Sequence, residues 1–446
     1  MKRVRIASVT LCWLITISGC NADLSHGLST TSAPVAVPNV VGDTEAAAQT
    51  LIVLGAGLTL GTVTYESSST VAANTVISQT PLAGTSVAGG SAVTLTVSSG
   101  PQAYAYVANA GANAGGVGTI SAYSISGATG ALQPLASSPV SVTGSKELYD
   151  LHVDPSGQYL YVIDYGGNQV FAFSIDANGH ALTPVSGSPF ATGSGPSSLA
   201  FDSSGSFVYI ANNTDATISA YSLDKTTGVL SEQTGSPYTI SGGQASPRQM
   251  VSFGNFLYVA DSGINSIDVF AIAATTGALT EGVPGSPFAT DTGPFSITID
   301  PTGAVLYTAN SGTNSAGSIS AFTLDATTGE LLPVADGPLK IPVTAYIAVD
   351  SMSRFLFVTE SSGIAVYPIT LESAALGTAV TGSPFSTGGT TPFSVSVSPS
   401  DLFVYSANNG SNNIAEFSFN STTGVLTTVT GSPANSGSEP GFMALD

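Results

Sequence analysis

Short apolar runs, rich in aromatic and β-branched residues and bounded by Gly, Pro, Asn and Ser, recur along the chain from about residue 103 to the end. One instance opens with Phe256-Leu-Tyr-Val-Ala-Asp261. It continues through a turn to Ser266–Ile272, a Gly turn, Ala278–Val283, the punctuation Gly-Ser-Pro-Phe, and Phe295–Ile299. Runs of this length and composition between turn residues predict strands. The unit is therefore four strands, and it returns seven times.

An aromatic or tyrosine in the second strand marks each return: Tyr106, Tyr161, Tyr209, Tyr258, Tyr307, Phe357 and Tyr405. A period near fifty with four strands per period predicts a propeller, because one such sheet cannot cover both of its faces alone. Other markers keep step. Ala-Thr-Gly at 128–130 and Thr-Thr-Gly at 226–228, 275–277, 327–329 and 422–424 put a Gly where a tight hairpin needs positive φ. Gly-Ser-Pro at 187–189, 235–237, 285–287, 382–384 and 431–433 is expected to cap an outer edge strand. The first repeat lacks a preceding inner strand, and the last segment, Gly441-Phe-Met-Ala-Leu-Asp446, has no successor. The C-terminal strand is thus expected to complete the first blade. The fold class is mainly β: a seven-bladed β-propeller closed by the C-terminal strand, with a small α+β domain before it.

Phe-Leu-Tyr-Val-Ala, Asp-Pro-Ser-Gly at 154–157, Thr-Thr-Gly-x-Leu and Gly-Ser-Pro-Phe together resemble the seven-bladed lactonase family, which includes bacterial 6-phosphogluconolactonases. The resemblance covers the propeller segment, 102–446. It implies lactone hydrolysis by a His, an Arg followed by His, and a Glu at the mouth of the axial channel.

The N-terminus reads differently. Lys2, Arg3 and Arg5 precede an apolar run from Ile6 to Ile17, and Ile-Ser-Gly-Cys20 follows. This has the form of a secretory signal over 1–19 and resembles a lipobox, with Cys20 as the lipidated residue. Asn21 after the Cys favours the outer membrane by the same resemblance. Residues 20–36 are Ser/Thr/Ala-rich and read as a flexible tether. Over 37–100, Asp43 or Thr44 can cap a helix whose Ala48, Leu51, Ile52 and Gly55 share a face, followed by strands at Gly61–Glu66, Thr75–Gln79 and Ala92–Ser98. Val37-Pro-Asn-Val-Val-Gly42 with Val76-Ile-Ser-Gln-Thr-Pro-Leu-Ala-Gly84 resembles a PASTA domain, a unit of cell-wall enzymes and kinases that in some cases binds peptidoglycan. This segment holds no Lys or Arg between 34 and 101, so a spacer role stays open beside wall binding.

Composition narrows the partners. The formal net charge is −20 with only eight Lys+Arg, which disfavours nucleic acid and anionic membrane surfaces as partners. Membrane contact is expected through the lipid anchor only. Three His and two Cys, with no Cys-x-x-Cys or His-Glu-x-x-His, give no basis for a metal site or a cofactor.

Mirror pairing about the Gly254–Asn255 turn sets Arg248 opposite Asp261, and the same arithmetic sets Tyr149 opposite Asp164. Inner-strand starts (Tyr149, Ser197, Arg248, Phe295, Ala345, Phe393, Gly441) and second-strand ends (Asn109, Asp164, Asn212, Asp261, Asn310, Glu360, Asn408) should therefore ring one mouth. From these come the candidate residues Tyr149, Asp164, Arg248, Asp261, Phe295, Glu360 and Phe393. Two readings stand: the short polar residues bond adjacent turns, or they form an acidic, aromatic-lined mouth with Arg248 as its cation. Ser246-Pro-Arg-Gln249 keeps the family's Pro-Arg but has Gln249 for its His, and the Glu position is Ser262. His152 is expected to be packed or to line the channel, and His180 to lie in a turn. The function expected is a lipid-anchored envelope protein presenting a propeller for ligand or protein binding, with peptidoglycan or an envelope protein as partner. The alternatives are a lactonase-like hydrolase of an extracytoplasmic sugar lactone, and a wall-attached structural protein.

Overall fold

A sheet with two apolar faces is stable only where both are covered, and this chain covers them with copies of the same sheet. The structure is a computed structural model. It describes residues 33–446 except 69, 101, 112–115, 178–179, 243, 314–315, 336, 343 and 371–372. The signal expected at 1–19, Cys20 and the tether up to residue 32 lie outside the described residues.

Among the described residues, seven sheets surround one axis. Their inner strands, Leu148–Val153, Pro196–Phe201, Pro247–Phe253, Pro294–Ile299, Thr344–Val349, Pro392–Val397 and Pro440–Leu445, neighbour one another in a closed ring. The last of these pairs antiparallel with Tyr104–Asn109, matching Met443 to Val107, Ala444 to Tyr106 and Leu445 to Ala105. The C-terminal strand therefore completes the first blade, as the repeat count requires.

The outer part of each blade differs from the simple four-strand reading. In the fourth blade Leu279–Glu281 and Phe288–Ala289 both pair with Ser266–Ile272, at its two ends. The Gly-Ser-Pro turn lies between these two pieces instead of capping the edge. Its serine fills the gap in the ladder: Ser286 Oγ accepts from Val269 N at 3.0 Å, and Ser188 Oγ from Ala172 N at 2.9 Å. The sixth blade has three full strands, Thr344–Val349, Phe355–Glu360 and Gly363–Pro368, with single bridges Ile364–Phe385 and Ile369–Leu376 beyond them.

The two repeat markers turn out to be each other's partners across blade boundaries. Tyr161 OH donates to Gly228 O at 2.8 Å, Tyr209 OH to Gly277 O at 2.8 Å and Tyr405 OH to Gly130 O at 2.9 Å. Gly228 has φ +74°, and a Cβ there would lie 2.3 Å from the Tyr159 ring. Glycine thus meets two needs at once, the left-handed turn and the close approach of the preceding blade. In the second blade His180 takes this turn position with φ 50°, stacking on Tyr104 at 3.3 Å and facing Tyr106 OH.

The N-terminal unit has its own sheet and core. Thr44 caps the helix Glu45–Thr50, and the sheet order is Thr59–Glu66, Ala92–Ser98, Val76–Thr80. Ala48 and Ile52 are buried with Val40, Val76 and Val93, but Leu51 is 44% exposed. The helix continues as a π turn over Leu51–Gly55. That widening rotates the position three past Ala48 away from the sheet, so the expected face loses Leu51.

Candidate functional site

At the mouth the strand register changes. Within the fourth blade Met250 pairs with Val259 and Val251 with Tyr258, as mirror pairing predicts, but it is Pro247 that pairs with Asp261. The same shift lies between Leu148 and Leu151, Pro196 and Ser198, Pro294 and Ser296, Thr344 and Ile347, Pro392 and Ser394, and Pro440 and Met443. A β-bulge adds a residue to one strand and re-aims its side chain. Arg248 is therefore not opposite Asp261, and no Arg248–Asp261 ion pair occurs among the described residues. Arg248 Nε donates to Ser262 Oγ at 3.1 Å, and its guanidinium lies 5.4 Å from the centre of the Phe295 ring.

The second-strand ends do not form an open acidic ring. Asp164 is fully buried and accepts from Lys146 N, Glu147 N, Gly167 N and Gln169 Nε2. Asp261 accepts from Ser246 N at 2.7 Å and Gly263 N at 2.8 Å. Glu360 is buried, which raises its pKa, and it accepts from Tyr367 OH at 3.4 Å. The carboxylates Asp164, Asp261 and Glu360 thus secure turns and strand ends. The turn acids behave likewise: Asp154 Oδ1 takes Gln158 N at 2.9 Å and Tyr159 N at 2.7 Å.

What the bulges bring together is aromatic. Tyr149 OH and Tyr346 OH are 2.8 Å apart. The Tyr346 ring meets Phe442 at 4.5 Å, Phe393 at 4.8 Å and Phe295 at 5.2 Å, and Tyr149 meets Phe393 at 5.9 Å. Burial pushes the Tyr149 phenol up to about 12, so it serves as a neutral hydrogen-bonding group. Tyr149, Phe295 and Phe393 are marked as ring positions by mirror pairing, and their side chains meet in this cluster. Tyr346 and Phe442 are not so marked, because the ring positions read Ala345 and Gly441 and the aromatic comes one residue later. The Pro-Gly-Phe at 440–442 carried a signal: a Cβ on Gly441 would meet Tyr149 O at 2.8 Å, so glycine there lets the closing strand approach its neighbour.

Behind this plug, along the axis, lies a cavity of about 290 Å³ lined by Asp150, His152, Gln249, Ser394 and Ser396 among others. His152 lines the channel, with 39% of its side-chain surface facing open space and Nε2 3.2 Å from Asp150 Oδ2. Burial alone would lower the imidazole's pKa. The Asp150 carboxylate beside it outweighs that, and the net shift is upward.

Comparisons with known proteins agree with this geometry at the level of fold. A Lactobacillus plantarum protein of known structure superposes with TM-score 0.64 at 18% identity, covering 77% of this chain and 99% of that one. The Pseudomonas aeruginosa periplasmic gluconolactonase PpgL superposes with TM-score 0.62 at 18% identity, again covering 77% of this chain and 99% of that one. No curated protein matches the chain in sequence. The PASTA domain family matches residues 35–99. The family described as Lactonase, 7-bladed beta-propeller matches in three overlapping stretches, 147–343, 286–383 and 339–442. With repeat, closure and profile in agreement, the chain belongs to the lactonase family of seven-bladed β-propellers, carrying a PASTA domain at its N-terminal side.

Proposed function

We propose that this chain is an extracytoplasmic cell-envelope protein in which the PASTA unit, over 37–100, contacts or spans the wall and presents the propeller, over 102–446, as a binding module. A lipid on Cys20, after removal of residues 1–19, holds it at a membrane, which in a two-membrane bacterium is the outer one. Its partners are peptidoglycan or an envelope protein. The PASTA match and the periplasmic location in the name of PpgL support the compartment.

The observation that carries the binding reading is the closed mouth. A hydrolase of the kind the resemblance implies needs a water-activating base and an oxyanion donor converging on open space. Here Ser197, Gln249 and Ser262 stand where that resemblance puts its His and Glu residues, and Tyr346 with its aromatic neighbours fills the centre. The test is a panel of sugar and aliphatic lactones offered to the chain lacking residues 1–19, beside its Arg248→Ala variant. No turnover by either is expected; turnover abolished by Arg248→Ala would replace binding with hydrolysis. Co-sedimentation with peptidoglycan sacculi tests the wall contact, and a chain that stays in the supernatant makes the PASTA unit a spacer.

A further inference from the structure

The turn that follows the third strand of a blade is closed by an N–H that donates to the carbonyl four residues back. Gly130 N donates to Ser126 O, His180 N to Asp176 O, Gly228 N to Asp224 O, Gly277 N to Ala273 O, Gly329 N to Asp325 O and Gly424 N to Asn420 O. The residue after each acceptor is Gly127 in the first blade, and Ala177, Lys225, Ala274, Ala326 and Ser421 in the others. The turn itself therefore accepts a side chain at this place. The φ of Gly127 also lies outside the left-handed region, so the backbone does not call for glycine.

What calls for it is the N-terminal unit. A Cβ on Gly127 would lie 2.1 Å from Ser99 Oγ and 2.9 Å from Ser99 Cβ. Ser99 directly follows the PASTA strand Ala92–Ser98, and its N–H donates to Glu66 O at 2.9 Å, so the PASTA sheet holds it in place. It is buried, although it stands at the end of its unit. A side chain at 127 would push Ser99 off the blade, and the sheet with it.

Further contacts join the two units at the same spot. Gln102 Nε2 donates to Ile125 O at 2.6 Å, and Gln102 Oε1 accepts from Ser67 Oγ at 3.4 Å. The space left between them, lined by Ser67, Ser99, Gly127, Ser398 and Phe403 among others, is about 20 Å³, room for about one water. Phe403 belongs to the seventh blade, so the PASTA unit sits where the first and last blades meet. The units are linked through 100–103, and so short a link keeps their effective concentration high enough for a small interface to hold.

The seat also has a direction. The third strand of the first blade, Thr119–Ile125, begins at the mouth with Thr119 paired to Asn109, and the turn after Ile125 therefore lies on the opposite face. We propose that the first-blade turn over 126–130 is a docking seat for the chain's own PASTA unit, which fixes that unit on the face opposite the mouth and leaves the mouth clear for a partner. The two units then turn as one rigid body, with no free hinge at 100–103. This seat is independent of the envelope reading above.

Spin-label distances across the two units test it. Labels go on Leu54→Cys and Leu332→Cys, both exposed, in the full chain with Cys12→Ser and Cys20→Ser. A free linker of four residues has an r.m.s. span of about 10–12 Å, so an undocked unit gives a distribution at least that broad. A single narrow distance is expected with Gly127 in place. Gly127→Ala, a side chain that sibling turns carry, should broaden it to the undocked width. Ser99→Gly added to Gly127→Ala removes the clash and should narrow it again, which a defect in the turn alone would not show. Gln102→Ala, which deletes the bond to Ile125 O without a clash, should also broaden it and decides the matter if Gly127→Ala does not fold. The proposal is overturned if the unaltered seat already gives the broad distribution, if folded Gly127→Ala stays narrow, or if Ser99→Gly fails to restore the narrow distance.

Discussion

Asp268 lies within hydrogen-bond reach of Asp261, where three other blades set a serine against an asparagine. Asn109, Asn212 and Asn310 donate Nδ2 to Ser121, Ser219 and Ser320 at 3.0, 2.9 and 2.9 Å. In the fourth blade neither partner has an amide hydrogen to give, and Asp261 Oδ2, Asp268 Oδ2 and Ser266 Oγ are all buried without partners. A proton on Asp268 would supply the missing donor. Burial, and then the Asp261 charge, pushes Asp268 up to about 7.

The first prediction concerns pH. The folded-state pKa of Asp268 is raised, so the folded chain binds more protons than the unfolded chain between about 4 and 7. Stability is fullest below that window and falls as pH rises through it. The loss at pH 8 is about 2–4 kcal/mol. Asp261→Asn with Asp268→Ser, which copies the other blades, should flatten this slope in urea unfolding at pH 5 and pH 8. An unchanged slope in the double variant would show that the pair is not its source.

The aromatic plug predicts an asymmetry between the buried Tyr346 and the part-buried Arg248. Tyr346→Ala removes the ring at the centre and should cost about 3–5 kcal/mol. Arg248→Ala removes one hydrogen bond to Ser262 and a ring contact, and should cost about 1 kcal/mol or less. Chemical denaturation of the two variants at one pH checks the ratio; equal losses would mean the rings do not form a common core.

The marker glycines should be intolerant of any side chain. Gly228→Ala places a Cβ at φ +74° and 2.3 Å from Tyr159, so a loss of about 2 kcal/mol or more is expected. Tyr161→Phe, which deletes only the bond to Gly228 O, should cost about 1 kcal/mol. Thermal melts of both variants separate backbone strain from hydrogen bonding.

Closure of the ring can be tested by shortening the chain. Deleting 441–446 strips the first blade of its inner strand and bares the edge at Tyr104–Asn109. Open strand edges associate. The shortened chain should lose its cooperative melt and run as aggregate on size exclusion. A monomeric, cooperatively melting product would mean that the ring does not need its last strand.

Much of this protein is determined by local sequence. Strand positions follow from apolar runs such as Phe256–Asp261, and their sevenfold return requires a ring because no single sheet covers its own faces. The closing role of Phe442–Leu445 follows from simple counting of strands. The Thr-Thr-Gly and Asp-Pro turns follow from backbone preferences that act within a few residues.

The mouth and the channel were decided by tertiary structure. Mirror pairing cannot foresee a bulge, since it assumes one residue on each strand for every pair. That one-residue shift separated Arg248 from Asp261 and drew Tyr346 and Phe442, which no ring position marked, into the centre. The fate of each polar group was likewise set by distance in space. Asp164 and Asp150 are both aspartates on adjacent strands of one blade, yet the first meets four donors and the second keeps an oxygen free. Local order along the chain fixes which residues form strands; only the packing of seven sheets around one axis fixes which of their side chains find partners.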